Sequence, residues 1–159
     1  MHRAASALLS GALLLNACSA SQTDTPSPPA PSTPAAAFLE LVAPAHAATC
    51  TFNAVLSQSA PRLDDLKRAS TAYADSLATL IAGLSAIDWP ADAAGDASGL
   101  VQALSADEAI ATTMAAAATL DDFIAADNRL ITSNKATTVA SDRLRKDLGL
   151  LSVGNPCAT

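Results

Sequence analysis

The residue types that build most metal and haem sites are scarce in this chain. Beyond the N-terminal apolar run it has one histidine, His46, and the whole sequence has two glutamates, Glu40 and Glu108. Helical bundles that bind metal or haem usually combine several inward carboxylates with histidines. His46 lies four residues before Cys50 on one helical face, but two ligands make a poor site, and a disulfide to Cys157 would remove the thiolate. We therefore expect no metal or other cofactor, and a polar surface histidine at position 46.

The sequence also lacks a recognisable catalytic constellation. A nucleophile needs a nearby base and an orienting partner, and His46 is the one candidate imidazole. No Cys-x-x-Cys spacing is present, which argues against a redox-active pair. The acid pairs Asp64-Asp65 and Asp121-Asp122 fall in predicted first turns, where acids stabilise the positive end of a helix. We expect a protein that is not an enzyme, and a weak hydrolase dependent on His46 is only a third hypothesis.

Basic clusters and aromatic side chains are few as well. The chain has nine basic and fifteen acidic side chains, a formal charge of −6, and no run of lysine or arginine. This charge argues against nucleic acid and against an anionic bilayer surface as partners. With three phenylalanines, one tyrosine and one tryptophan, the core must be mostly aliphatic. No segment shows the alternation of a β-strand.

What the chain does have is an export signal. A basic start, His2-Arg3, precedes a run of alanine and leucine that is shorter than the ~20 apolar residues of a membrane-spanning helix. The run ends in Leu15-Asn16-Ala17-Cys18, which fits a bacterial lipobox. Cleavage there removes residues 1–17 and makes Cys18 the lipid-carrying first residue. The alternative is ordinary signal cleavage after Ala20, which would discard Cys18.

The cysteine count is consistent with export. Three cysteines are present, and an odd number in an exported protein needs an explanation, which lipidation of Cys18 supplies. Cys50 and Cys157 then form a pair for which a disulfide is expected in an oxidising compartment. A loop of that length is worth about 4 to 5 kcal/mol in the chain-entropy model. Ordinary cleavage would leave the same pair, and two separate buried thiols are the alternative to the bridge.

Residues 18–34 have the composition of a disordered tether. The segment is made of serine, threonine and alanine with five prolines and has no large apolar side chain. It cannot bury enough surface to fold. At ~3.1 Å per residue in polyproline geometry, it would hold a domain up to about 50 Å from the anchor. The alternative is a disordered leader whose length has no role.

Residues 35–159 are predicted to form one helical domain. About a quarter of the chain is alanine, the strongest helix former. Apolar spacing predicts four helices, over roughly residues 35–57, 61–88, 91–118 and 119–149. Pro44 predicts either a kink in the first helix or a helix start near Ala43. Pro61 suits a first turn, and Trp89 should fold back over the end of the bundle.

The fourth segment carries the clearest end signals. Thr119 can cap the free backbone amides, and Arg143, Arg145 and Lys146 precede Gly149, as a helix C-terminus favours. Short connections force sequential helices to lie side by side. The sequence therefore predicts an all-α protein, an antiparallel up-down four-helix bundle that follows a signal peptide and a tether.

The order of lipobox, tether and helical domain resembles the small alanine-rich helical lipoproteins of Actinobacteria. The residues that carry the resemblance are Leu15 to Cys18, the segment from Phe38 to Val42 with Pro44, Asp88-Trp89-Pro90, and Asp147-Leu148-Gly149-Leu150. The resemblance spans nearly the full chain. It implies a location on the extracytoplasmic face of the cell membrane and a helical fold, and it implies no activity.

These observations lead to two function hypotheses. The first is a non-enzymatic, lipid-anchored envelope protein, held to the membrane by the lipid on Cys18, that contacts an envelope protein or cell-wall component through an exposed bundle face. The second is a carrier in which the small side chains of the third helix leave a cavity for a lipid or another hydrophobic molecule. A lipid that co-purifies with the protein would favour the second hypothesis.

Overall fold

The computed structural model describes residues 33–154 and residue 157, and the described part is entirely helical. Its four helices are α1 (Pro34–Leu56), α2 (Leu63–Ala86), α3 (Ala94–Ala115) and α4 (Leu120–Asp147). The predicted all-α class with four helices is confirmed. The predicted signal peptide, Cys18 and almost all of the tether lie outside the described residues and stay predictions.

Helices that follow one another in the chain pack side by side. The extensive backbone contacts join α1 to α2, α2 to α3 and α3 to α4, while α1 and α4 have no comparable packing. Leu41 near the start of α1 lies against Gly83 near the end of α2, where a Cβ would overlap the leucine side chain. Asp96 at the start of α3 lies close to Asp147 at the end of α4 and raises the pKa of the Asp147 carboxyl. Both pairs therefore run antiparallel, and the up-down order of the whole bundle stays a prediction.

The helix starts follow local capping chemistry. The Thr33 hydroxyl accepts a hydrogen bond from the backbone N–H of Ala36 at 3.2 Å. Thr119 and Asp122 form a reciprocal capping box at the start of α4, so the predicted cap at Thr119 is confirmed. Pro61 was expected in the first turn of α2, but the helix begins at Leu63.

Helix α1 runs without a break through Pro44, so the predicted helix start near Ala43 is wrong. Proline removes one backbone hydrogen bond from a helix interior. Here Phe38 and Val42 are buried before the proline and Phe52 is buried after it. The packing of both segments in one core offsets the loss. Burial of apolar side chains contributes about 1.5 to 3 kcal/mol each.

Among the described helices, only α1 is long and apolar enough to cross a membrane. The core helices of soluble proteins share this length and composition. In this structure the α1 side chains Phe38, Val42, Ala45 and Phe52 are buried against the other helices. One side of α1 therefore packs in the bundle, and 22% of its apolar window is buried.

The connection between α2 and α3 is covered by the only tryptophan. The indole Nε1 of Trp89 donates a hydrogen bond to the backbone oxygen of Leu84 at 2.9 Å. Its ring meets Phe38 edge-on, with 6.5 Å between ring centroids. The prediction that Trp89 folds back over the bundle end is confirmed.

A disulfide joins Cys50 in α1 to Cys157 beyond α4, with 5.3 Å between the Cα atoms. The predicted bridge is therefore present, and the alternative of two separate thiols is wrong. After α4, Gly149 takes a positive φ of 68°, and the N–H of Leu150 donates to the Arg145 oxygen at 2.8 Å. Glycine permits this kind of helix end. It turns residues 148–154 back toward α1, and we call these residues the tail.

Candidate functional site

The described part of the chain contains a cavity of about 290 Å³ bordered by all four helices and the tail. It lies where α1 and α4 face one another without close backbone packing. Val153 and Gly154 of the tail complete its wall. Small-molecule sites in proteins occupy roughly 300 to 1,000 Å³, so this cavity is at the lower end of that range.

Four buried leucines form one apolar side of the cavity, which we call the leucine floor. They are Leu77 and Leu80 of α2 and Leu100 and Leu104 of α3. Their spacing of three and four residues is the helical stripe that the sequence shows in both segments. The floor can hold an apolar group out of water but offers it no hydrogen bond.

The opposite side of the cavity is a polar face of α4. It consists of Asn134, Thr137, Thr138, Ser141 and Arg145. Their spacing places them on one side of the helix. Nearby apolar side chains are exposed, since Ile131 is 56% exposed and Val139 is 52% exposed, whereas Leu144 is fully buried. Between Leu130 and Leu144, the side of α4 that faces the interior is therefore mostly polar.

A fully buried carboxyl group supports the polar face from behind. Asp107 of α3 has no exposed surface, and its Oδ2 accepts a hydrogen bond from the Thr137 hydroxyl at 2.5 Å. Its Oδ1 has no hydrogen-bond partner among the described residues. A buried polar atom without a partner costs about 1 to 3 kcal/mol. Asp107 fixes the orientation of Thr137, and this ordering is obtained at the expense of stability.

Tyr73 links this carboxyl group to the cavity wall. Its ring stacks on Phe52 with 5.0 Å between centroids. Burial, and then the nearby Asp107 carboxylate, raise the pKa of Tyr73 to about 12, while a hydrogen bond with Thr49 opposes the shift. The hydroxyl is therefore protonated over the whole physiological range. It can act as a neutral hydrogen-bonding group but not as a base.

Arg145 is the buried cation of the site. Its side chain is 7% exposed, and its Nε donates a hydrogen bond to the backbone oxygen of Leu151 in the tail at 2.7 Å. The guanidinium carbon lies 5.7 Å from the centre of the Phe38 ring. The sequence predicted Arg145 as one of the basic residues at a helix C-terminus, and it does lie in the last turn of α4. The structure turns it inward, because its position shares the cavity side of α4 with Ser141.

His46 also lies in the cavity wall, so the expectation of a surface histidine is wrong. It is half-buried. Burial, and then the positive charge of Arg145, lower its pKa below the ordinary value of 6.5. The imidazole is therefore neutral at pH 7. Within the described residues it has no hydrogen bond to a hydroxyl or a carboxylate.

The structure brings together two of the three cysteines that the sequence singled out. Cys50 and Cys157 meet at the disulfide beside the cavity, whereas Cys18 lies outside the described residues. Asp107, Thr137 and Tyr73 were not recognised as a group. One sequence signal does point to the site: polar residues recur at helical spacing along α4 from position 134 to position 145, where a bundle helix should be apolar inside.

The site offers hydrogen-bonding groups, apolar side chains and one cation. No group of three or more histidine, cysteine, aspartate or glutamate side chains is placed to hold a metal in the region that the structure describes. The acid pairs Asp64-Asp65 and Asp121-Asp122 lie in the first turns of α2 and α4. An apolar floor, a row of neutral hydrogen-bonding groups and one buried cation can orient a small amphipathic molecule.

No protein-family model, curated protein or solved structure matches this chain.

Proposed function

We propose that the protein is a lipid-anchored, non-enzymatic binding protein of the bacterial envelope, and that its helical bundle takes up a small amphipathic molecule. The observation that carries this proposal is the cavity with a leucine floor on one side and the polar face of α4 on the other. Of the two hypotheses drawn from the sequence, the carrier has the stronger support from geometry.

The arrangement of side chains supports uptake of a ligand over a purely structural role. A bundle gains stability when it fills its interior with apolar side chains. Here several hydroxyls and a guanidinium line a cavity between α1 and α4, and a buried carboxyl lies behind one of the hydroxyls. Local departures from the rules of stable packing concentrate at functional sites. The exposed edge formed by Thr138 and Asp142 gives the cavity a route to solvent.

Binding can be tested with N-phenyl-1-naphthylamine, an uncharged apolar dye that fluoresces when it leaves water. We expect the full chain carrying Cys18→Ser, which needs no detergent, to bind the dye at one site. Ser141→Phe places a ring in the cavity and should weaken this binding at least tenfold. Thr132→Phe adds the same ring to an exposed position of α4 and is the matched control.

Mass spectrometry of an organic extract supplies an independent test. Protein purified from its native envelope should carry a co-purifying amphiphile, and the Ser141→Phe protein should carry less of it. Dye binding that is equal in the Ser141→Phe and Thr132→Phe proteins would contradict the proposal.

The anchor rests on the lipobox sequence that ends at Cys18. A lipid there and a tether over residues 18–34 would keep the bundle at the extracytoplasmic face of the membrane. The intact mass of membrane-extracted protein should show cleavage before Cys18, acylation, and one oxidised cysteine pair. A Cys18→Ala protein that still partitions with the lipid fraction would refute the anchor and leave the binding proposal standing.

A second candidate function is contact with an envelope protein. The observation in its favour is a row of exposed apolar side chains on α4, formed by Leu120, Ile124 and Ile131. A photo-reactive residue at position 131 should give a single defined protein adduct in intact cells, and Ile124→Lys should abolish it. Adducts of many sizes, unchanged by Ile124→Lys, would argue against this candidate.

A further inference from the structure

The guanidinium of Arg145 has hydrogen-bonding capacity that the protein itself leaves unused. An arginine side chain carries five N–H donors. The Nε of Arg145 donates to the Leu151 oxygen at 2.7 Å, and the described residues provide no hydrogen-bond acceptor for its two terminal nitrogens. Neither terminal nitrogen is a fully buried atom that lacks a hydrogen-bond partner. Since Arg145 lines the cavity, these donors are accessible from it.

The charge of Arg145 is not neutralised by a neighbouring side chain. In the described part of the chain no carboxylate lies within ion-pair distance of it, although Asp142, one turn earlier on α4, also lines the cavity. Its other titratable neighbour is His46, whose pKa is lowered by burial and by Arg145 itself. A charge that is taken out of water without a partner is strongly disfavoured. An anion in the cavity would supply the missing partner.

We infer that the ligand of this cavity is a small amphiphile with one carboxylate, which pairs with the terminal nitrogens of Arg145 while its apolar part lies on the leucine floor. This inference rests on the proposed binding function. Guanidinium and carboxylate match as a two-point hydrogen-bonded pair. The neutral groups of α4, above all Ser141 and Asn134, are placed along the remaining edge of such a molecule.

The size of the cavity narrows the ligand class further. A volume of about 290 Å³ admits one short chain or a small ring system. It does not admit a two-chain phospholipid. The ligand class is therefore a monocarboxylic acid with a single apolar body, and decanoate is a suitable probe.

The deciding experiment compares two probes that differ mainly in the head group. Decanoate and decanol are titrated against the dye-loaded full chain carrying Cys18→Ser, at pH 8, where decanoate is ionised and His46 is neutral. We expect decanoate to displace the dye at a concentration at least tenfold lower than decanol. The preference should weaken with added salt, as an ion pair at a solvent-accessible cavity would.

Variants of two arginines on α4 test which residue causes the preference for decanoate over decanol. Arg145→Met should remove the preference for decanoate, and Arg145→Lys should keep part of it because the charge stays and the two-point geometry is lost. Arg143→Met changes an exposed arginine of the same helix and should leave the preference unchanged. If Arg145→Met does not fold, as judged by circular dichroism, the comparison of decanoate with decanol in the parent chain decides the carboxylate, and an undiminished preference in Arg145→Lys would overturn the two-point pairing with Arg145.

Failure of this inference is distinguishable from failure of the proposed function. Equal displacement by decanoate and decanol would overturn the carboxylate and leave a cavity that binds apolar molecules. A preference for decanoate that persists in Arg145→Met would overturn the role of Arg145. Absence of dye binding altogether would remove the proposed function and this inference together.

Discussion

Where α2 packs against α3 the bundle is closed by buried leucines, but where α1 faces α4 it is lined by hydroxyls, an amide and a guanidinium. The closed side includes Leu77 and Leu84 from α2 and Leu100 from α3. The open side is held by the tail and by the disulfide between Cys50 and Cys157. One side of this small bundle is thus optimised for stability, and the other retains polar groups that a ligand can use.

The same contrast exists within one helix. The first half of α4 buries Phe123, Ala126 and Leu130, as a bundle helix should. The second half turns Thr137 and Ser141 toward the interior. The change falls near position 131. Apart from Leu144, which is fully buried, the second half of α4 should therefore contribute less to stability than the first half and more to ligand binding.

Removal of the disulfide is the strongest way to perturb the open side. Cys50→Ser with Cys157→Ser should lower the free energy of unfolding by about 4 kcal/mol, because the loop between positions 50 and 157 is long. Urea unfolding, followed by the fluorescence of Trp89, measures the loss. Dye binding should fall as well, since the tail forms part of the wall. An unchanged urea midpoint would show that the tail is held by its noncovalent contacts.

Two substitutions in α4 test whether its halves differ as described. Leu130→Ala should cost about 2 to 5 kcal/mol because it leaves a cavity in a packed core. Ser141→Ala should change stability by about 0.5 kcal/mol or less, since it removes one partly exposed hydroxyl. Thermal unfolding of both proteins gives the comparison. Equal losses would mean that the second half of α4 is part of the core.

Alkaline pH should weaken the fold through Tyr73. In the unfolded chain this tyrosine ionises near pH 10, whereas in the folded protein its pKa is about 12. The folded state therefore keeps a proton that the unfolded state releases. Stability is full below pH 10 and falls by about 2 kcal/mol as the pH rises toward 12.

The chain has one tyrosine, so absorbance at 295 nm follows this group alone. Asp107→Asn should lower the titration midpoint of Tyr73, because a negative neighbour is removed, but not down to 10, because burial is the larger cause. A midpoint near 10 in the parent protein would show that Tyr73 is solvated and that its buried position near Asp107 is not formed.

The smallest effect is expected from His46 on the acid side. Its pKa is lowered in the folded protein, so the unfolded chain binds the proton first as the pH falls. Stability should be full above about pH 6.5 and should decrease as the pH falls through the lowered folded pKa. The effect is modest because the side chain is half-exposed. In His46→Gln the urea midpoint should change less between pH 7.5 and 5.5 than in the parent protein. An equal change with pH in both proteins would show that other groups cause it.

The fold was more predictable from the sequence than the site. The Thr119 cap, the turn at Trp89 and the bridge from Cys50 to Cys157 each depend on local chemistry or on cysteine number, and these are readable from sequence. Of the two outcomes predicted for Pro44, the helix start near Ala43 was wrong because tertiary packing on both sides outweighed a local penalty. The cavity was harder to predict because the inward face of a helix is recognised from regularly spaced apolar residues. The inward residues of α4 after Leu130 are mostly polar.

Arg145 and His46 show the same limit. At a helix end an arginine fits the dipole whether it points outward or inward, so its sequence position does not reveal its burial. His46 follows Ala45, a buried position, and its own depth depends on the gap between α1 and α4. That gap is a property of how four helices meet, and no single helix encodes it.

The position of the bridge also orders events during biogenesis. Cys50 lies in the first helix, whereas Cys157 follows all four helices in the chain. The bridge can therefore form only after the whole helical domain has been synthesised. Because Val153 and Gly154 of the tail line the cavity, the oxidation that joins Cys157 to α1 also fastens one part of the cavity wall.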